Sequence, residues 1–326
     1  MAASKSKKMK RNGKKRAVIG SIAAFILLAA IVLIIRFHVF DGLFSSCFGG
    51  NAVDLPDVLP GLPKRGELSV YNFDVGQGNA ALLVSPNGRT MLIDGGPPEY
   101  AERTVETIHA LGVESLDIVI ATHPHLDHIG GMPRILREFH VGEYIMPAVD
   151  FDCAAQPSVD IALEREMIPA RTVRRGDTVA WDSACTVTVL SPIPGCEYST
   201  EDANDLSLII RVEFGETSIL FTGDATVHTE QLMMFHNERE LIRSDVLIVA
   251  HHGSTTSSSY GFLETVGANY AVISVGRDNP YGHPDHDILK RLKAVGTKVY
   301  RTDEEGWISI LSDGTDVRVI TQKDKN

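Results

Sequence analysis

The run Leu116-Asp117-Ile118-Val119-Ile120-Ala121 is apolar, β-branched and of strand length, and after one threonine it leads into His123-Pro124-His125-Leu126-Asp127-His128. Gly130-Gly131 comes next, then a helix-like stretch over residues 132–139. A buried strand that ends in a polar turn and resumes as a helix is a unit of an α/β fold. Such loops at a sheet edge are where these folds build their sites. The turn places three imidazoles and one carboxylate within six positions. That donor set suits Zn²⁺, Mn²⁺ or Fe, and the small spacers let His123 and His125 face one ion while Asp127 and His128 face another.

The rest of the chain supplies more strands in two styles. Residues 68–75, 80–84 and 90–94 form closely spaced strand patterns, separated by Gly76-Gln77-Gly78-Asn79 and by the turn Pro86-Asn87-Gly88-Arg89. Residues 102–111 have helical spacing, with Val105, Ile108 and Leu111 on one side. Further strands are expected at 186–190, 207–214, 217–222, 245–250, 270–275, 298–300, 307–311 and 316–320, and helices at 226–235, 259–266 and 286–295. Residues 151–182 are the least legible. Hairpins interleaved with helix-separated strands, without internal repeats, predict two mixed sheets with helices packed outside, in one α/β domain over residues 66–322.

The amino terminus reads differently. Residues 5–16 hold eight Lys and Arg and no acid, and residues 17–35 are an apolar run of nineteen closed by Arg36. A membrane span needs about 20 such residues, whereas the apolar part of a cleavable signal is about 7–15. The expectation is a basic cytoplasmic tail (1–16), a single-pass transmembrane signal anchor (17–38) and a Pro- and Gly-rich linker (39–65). The domain at 66–322 and a short tail (323–326) then lie outside the cytoplasm, by the excess of positive charge on the inner side. All 42 Asp and Glu follow residue 40, and nine of the 31 Lys and Arg precede it, so the outer part carries about −20. Such a field repels polyanions at long range. Arg171, Arg174 and Arg175 are its compact basic group, readable as a nucleic-acid groove or as a solvated edge. The four cysteines, Cys47, Cys153, Cys185 and Cys196, are too few for a disulfide scaffold, though a Cys185–Cys196 bond is conceivable outside the cell.

Three more loops bear candidate ligands at strand ends: Gly223-Asp224, His251-His252-Gly253-Ser254 and Asn279-Pro280-Tyr281-Gly282-His283-Pro284. Together with His123-x-His125-x-Asp127-His128, the set resembles the metallo-β-lactamase superfamily of binuclear metallohydrolases. The strings Phe73-Asp74-Val75-Gly76-Gln77-Gly78-Asn79-Ala80, Leu92-Ile93-Asp94-Gly95-Gly96, Asn204-Asp205-Leu206-Ser207-Leu208 and Tyr281-Gly282-His283-Pro284 are similar to the carboxy-terminal hydrolase domain of the competence protein ComEC. The phosphorylcholine esterase domain of the pneumococcal type looks similar as well. The likeness covers residues 66–322 and leaves out a transport channel, which one span cannot form.

The resemblance implies a four-layer αββα metallo-β-lactamase sandwich holding two divalent ions, Zn²⁺ or Mn²⁺. It puts His123 and His125 on one ion, Asp127, His128 and His252 on the other, and Asp224 across both. His251 would then point at substrate, and Asn204-Asp205 would stand near the first ion, where many relatives have another histidine. Asp74 and Asp94 would orient loops and ligand histidines. Two cations about 3.5–4 Å apart can share a bridging hydroxide and neutralise a pentacoordinate phosphate, with Asp127, His251 and His283 as the catalytic side chains. The expected activity is phosphodiester hydrolysis, on DNA as in a ComEC-like nuclease or on an envelope phosphodiester such as phosphorylcholine. A lactam or ester hydrolase and a non-catalytic metal-binding module are the alternatives. No protein partner is deducible, and His38, His109, His140, His228, His236 and His286 have no motif around them.

Overall fold

The structure is a computed structural model that describes residues 62–148, 153–199 and 201–325. The anchor and nearly all of the linker expected from the sequence lie outside the described residues. Among those described, no helix is long and apolar enough to cross a membrane.

Strands β1 (Leu68–Asn72), β2 (Ala81–Val84), β3 (Thr90–Ile93), β4 (Ser115–Ile120), β5 (His140–Pro147), β6 (Ala170–Val173) and β7 (Cys185–Ser191) come first. They are followed by β8 (Ile209–Phe214), β9 (Thr217–Phe221), β10 (Val246–Ile248), β11 (Tyr270–Ile273), β12 (Lys298–Arg301), β13 (Ile308–Ser312) and β14 (Val317–Thr321). One sheet runs β14-β13-β1-β2-β3-β4-β5-β6, and the other runs β12-β11-β10-β9-β8-β7. Each is mixed. Pairing is antiparallel from β14 to β3 and parallel from β3 to β6. In the second sheet it is parallel from β12 to β9 and antiparallel from β9 to β7.

The helices are α1 (Ala101–Ala110), the single turn α2 (Leu126–Ile129), α3 (Met132–Glu138), α4 (Gln156–Arg165), α5 (Val227–His236), α6 (Arg239–Ile242), α7 (Tyr260–Val266), α8 (His286–Ala294) and the short α9 (Thr302–Glu305). Because successive side chains on a strand point to opposite faces, strands buried on both faces read as continuous apolar runs. Leu83, Met91, Ile118 and Ile120 meet Val189, Ile210, Ile219 and Ile248 between the sheets. Leu82, Leu92 and Val119 face outward onto Val105 of α1, Ile135 of α3 and Val159 of α4. Leu220, Leu247 and Ala271 face the other way, onto Met233 of α5, Phe262 of α7 and Leu292 of α8. Two sheets face to face, each covered outside by helices, are the four αββα layers.

Besides the single turns α6 and α9, the structure adds β5, β6 and α4, which the apolar pattern does not announce. In β5, Gly142 and Glu143 interrupt the hydrophobic run. Gly142 packs so closely on β4 that a Cβ would lie 2.6 Å from the Asp117 carbonyl oxygen, a close backbone approach of the kind that puts glycine inside a strand. Strand β6 buries only Val173, and α4 carries a proline in its first turn. The first strand stops at Asn72 rather than at residue 75. Cys153, Cys185 and Cys196 are free thiols, so the conceivable Cys185–Cys196 bond is absent.

Parallel pairing has a consequence for the site. Strands β3, β4 and β5 all end at one edge of their sheet, and β9, β10 and β11 end together in theirs. The edges are joined where Leu208 N–H donates to the Thr122 carbonyl at 2.9 Å. Ile120, fully buried between the sheets just ahead of that junction, is expected to destabilise the fold by about 2–5 kcal/mol when replaced by alanine. Urea denaturation of Ile120→Ala tests this, and an unchanged midpoint would contradict the two-sheet core.

Candidate metal centre

Six side chains from two strand ends, those of β4 and β10, converge on Asp224, which follows a third, β9. The turn after β9 sets this residue in place: Gly223 takes a left-handed φ of +50°, and the Asp224 N–H meets the Ser207 hydroxyl at 3.1 Å. Its carboxylate is 2 % exposed. Oδ1 lies 3.1 Å from His128 Nε2, and Oδ2 lies 3.9 Å from His123 Nε2, 3.8 Å from His251 Nε2 and 3.8 Å from His252 Nε2. Asp127 Oδ2 is 3.1 Å from His252 Nε2 and 3.8 Å from His128 Nε2. One ligand atom from each of Asp127, His128, Asp224 and His252 falls within 4.8 Å of all the others. His123 Nε2 and His125 Nδ1 face each other at 3.0 Å on the next flank.

Neighbouring groups hold the imidazoles in the orientation a metal would need. Asp94, which follows β3 at a φ of +58°, accepts from Thr122 N–H and Thr122 Oγ1 at 2.8 Å each. Its Oδ2 also lies 2.8 Å from His128 Nδ1. A proton on Nδ1 satisfies that carboxylate and leaves the Nε2 lone pair facing Asp224. His252 Nδ1 donates in the same way to the Ser274 carbonyl at 2.8 Å. His251 and His252 both sit at left-handed φ, +53° and +54°, a conformation costing about 1–3 kcal/mol per non-glycine residue. The pair is held there by His251 N–H donating to the Gly223 carbonyl at 3.2 Å.

The residues present fit a divalent cation. His128 Nε2 and Asp224 Oδ1 are both buried without a hydrogen-bond partner although they lie 3.1 Å apart. Buried polar atoms are nearly always satisfied, and the donor set is imidazole plus carboxylate, as for Zn²⁺ or Mn²⁺.

With protons alone, charge in this cluster is strongly correlated. Burial disfavours a charged His128, yet Asp224, Asp94 and Asp127 outweigh it and hold its pKa well above the ordinary 6.5. His252 is likewise raised against its burial, by Asp224 and by its hydrogen bond to Asp127. Burial and the neighbouring His128 drive His123 well below 6.5. Asp127 and Asp224 are both lowered despite burial, through His128 and His252. His251 is lowered by burial, against the pull of Asp224, and so stays neutral near pH 7.

The other expected site residues divide. His251 Nδ1 pairs with Thr256 Oγ1 at 2.9 Å, and its ring meets that of His283 at 5.8 Å. His283 Nδ1 is buried without a partner and its ring stacks on Tyr281. Asp74 accepts from Gly76 N–H at 3.2 Å, bracing the loop while touching no histidine. Asp205 is engaged elsewhere. Its Oδ1 takes a short hydrogen bond from Thr226 Oγ1, and its Oδ2 accepts from Ser199 N–H at 3.2 Å, so it ties its loop to the start of α5. The adjacent Asn204 leaves Oδ1 buried and unpaired. Thr122 and Ser207 are the polar residues sequence reasoning passed over. Ser207 stands inside a recognisable string and Thr122 directly before one, but nothing local shows that Thr122 bonds Asp94 or that Ser207 anchors Asp224.

Residues 73–277 match the Metallo-beta-lactamase superfamily, and the chain belongs to it. Within that class it is similar to ComE operon protein 3 of Bacillus subtilis (strain 168), at 30 % identity over 268 residues, covering 77 % of this chain and 34 % of that protein. Competence protein ComA of Neisseria gonorrhoeae is 32 % identical over 252 residues, covering 77 % of this chain and 33 % of its own length. Recombination protein 2 of Haemophilus influenzae is 32 % identical over 250 residues, with 74 % and 28 % covered. The chain thus spans about a third of the curated relatives it matches.

Two outcomes are expected. Asp94→Asn sets an amide N–H against His128 Nδ1 and favours the wrong tautomer, so Mn²⁺ affinity measured by calorimetry should fall by about 10–100-fold with the fold intact. Raised histidines stabilise the metal-free protein below about pH 6.5 and lose that contribution as pH rises through their folded pKa. Lowered carboxylates stabilise it above about pH 3.8 and lose that contribution in acid. These four groups therefore contribute most between those values, opposed there by the lowered His123 and His251, whereas cation binding must expel the histidine protons and strengthens as pH rises. Titrating Mn²⁺ at pH 7 in two buffers of different ionisation heat should reveal proton release, and identical heats would contradict it.

Proposed function

We propose that this protein is a membrane-anchored phosphodiesterase that depends on divalent cations and works outside the cytoplasm. The single observation carrying the catalytic part is the convergence of His123, His125, His128, His251 and His252, with Asp127, around the buried Asp224 carboxylate. Asp127, His128, Asp224 and His252 would hold one ion, and His123, His125 and Asp224 a second. Bound there, Zn²⁺ or Mn²⁺ supplies a Lewis acid for a phosphoryl oxygen and acidifies water.

The protein's own groups do the rest. Asp94 and the Ser274 carbonyl fix two ligand imidazoles so that no reorientation is needed during the reaction. Neutral His251, steadied by Thr256, presents a ring beside Asp224 that can donate to a phosphoryl oxygen. His283, one ring further out, can donate a hydrogen bond to the leaving-group oxygen. Recombination, in the name of the Haemophilus relative, is a process of nucleic acid and supports a polynucleotide as the phosphodiester. The apolar run at residues 17–35 behind a basic tail supports the anchor and its orientation.

The test uses the full-length protein with Mn²⁺ or Zn²⁺ on bis-p-nitrophenyl phosphate, single-stranded DNA, p-nitrophenyl phosphorylcholine and a chromogenic cephalosporin. Cleavage of a phosphodiester is expected, and turnover of the cephalosporin alone removes the proposal. Asp127→Ala and His128→Ala, both in the single turn α2 at the sheet edge, should each lose more activity than the about 10–100-fold typical of an outer ligand partner, with circular dichroism unchanged. Full activity in either variant would show that the assigned centre is not the active one.

A further inference from the structure

The three-arginine group resolves into two fixed residues and one free one. Arg171 Nε donates to Glu143 Oε1 at 2.7 Å, and Arg175 Nε donates to Asn237 Oδ1 at 2.8 Å. Arg174 is engaged through its backbone, its N–H donating to Asp177 Oδ2 at 2.9 Å and its carbonyl accepting from Asp177 N–H at 3.0 Å. Its exposed guanidinium has no hydrogen-bond or ion-pair partner among the described residues.

Arg174 lines a cavity of about 290 Å³ beside Tyr198 and the loop after Pro192. A second cavity of about 380 Å³ adjoins the metal centre at His123 and is lined by Met146 and Pro147. The two share Ala148 and Leu206, so they form one trough from the candidate centre to Arg174. Their combined size falls in the about 300–1,000 Å³ range of ligand sites. Charge gives the trough a direction. Asp160 lines the first cavity with its Oδ1 accepting from Gln156 Nε2 at 2.8 Å, which leaves a carboxylate there to repel an anion. Between it and Arg174 the walls combine Met146, Ala148 and Leu206 with the polar Thr172, Tyr198 and Ser199.

We infer that Arg174 is a positioning residue that binds a second phosphate, adjacent to the scissile one, while the sugar or base between them lies on the Met146–Leu206 surface. The inference rests on the phosphodiesterase reading and narrows its substrate to a chain with consecutive phosphodiesters. Planar guanidinium groups bind phosphate through paired hydrogen bonds. In a domain this acidic, short-range contact of that kind, rather than long-range attraction, must seat a polyanion.

The experiment compares Arg174→Ala with the unsubstituted full-length protein, both saturated with Mn²⁺, on thymidine dinucleotide (one phosphate), thymidine trinucleotide (two phosphates) and bis-p-nitrophenyl phosphate. The KM for the trinucleotide should rise roughly tenfold. Its kcat, and both constants for the two single-phosphate substrates, should stay as they were. Arg174→Lys should recover part of the loss. An equal rise for dinucleotide and trinucleotide, or no rise for either, overturns the inference and leaves the phosphodiesterase reading standing. Cleavage of bis-p-nitrophenyl phosphate but of neither oligonucleotide does the same. If the unsubstituted protein cleaves none of the three, both readings fall.

Discussion

Asp224 is a carboxylate sealed from water with imidazoles on several sides, and an isolated charge in such a place would cost many kcal/mol. Only protons on the neighbouring histidines or cations among them can compensate it. The buried His128 Nε2 and Asp224 Oδ1, 3.1 Å apart, mark where that compensation is needed. Much of the surrounding structure serves this one arrangement: the left-handed turns at Gly223, His251 and His252, the Asp94 bracket and the Ser207 hydroxyl all fix the direction of a donor atom. A site that stores strain in two consecutive left-handed histidines needs a rigid frame on both sides, and the two packed sheets supply it.

The frame also explains why the donors come from such distant stretches of chain. Asp127 and His252 are 125 residues apart, yet their ligand atoms lie 3.1 Å from each other. Each follows a parallel strand, so each loop leaves its sheet at the same edge as its neighbours. The backbone bond from Leu208 to Thr122 then brings the edges of the two sheets together. Two cavities that share Ala148 and Leu206 lie beside this junction, one lined by His123 and the other by Arg174.

Much was legible along the chain because burial on both faces of a strand leaves a continuous apolar run. The strands at 116–121 and 245–250 declared themselves in that way, and their terminal His and Asp residues stood out against it. Strand β5 did not, since Gly142 is there to admit the Asp117 carbonyl, a tertiary reason invisible in any local pattern. Asp205 carries the opposite lesson. It sits in a motif beside the site, yet both its oxygens are taken by Thr226 and Ser199.

The sequence by itself determined which residues could serve as ligands, because donor chemistry belongs to side chains, and which segments would be strands, because apolar periodicity records burial. It also determined the metallohydrolase resemblance through short ordered strings. Only the tertiary structure decided that Asp94 orients His128 while Asp74 braces a loop, that Asp205 is tied to Thr226 and Ser199, and that Arg174 alone of its group lacks a side-chain partner among the described residues. Those outcomes depend on strand order, backbone φ and the partners that packing delivers from far along the chain, none of which a run of neighbouring residues encodes on its own.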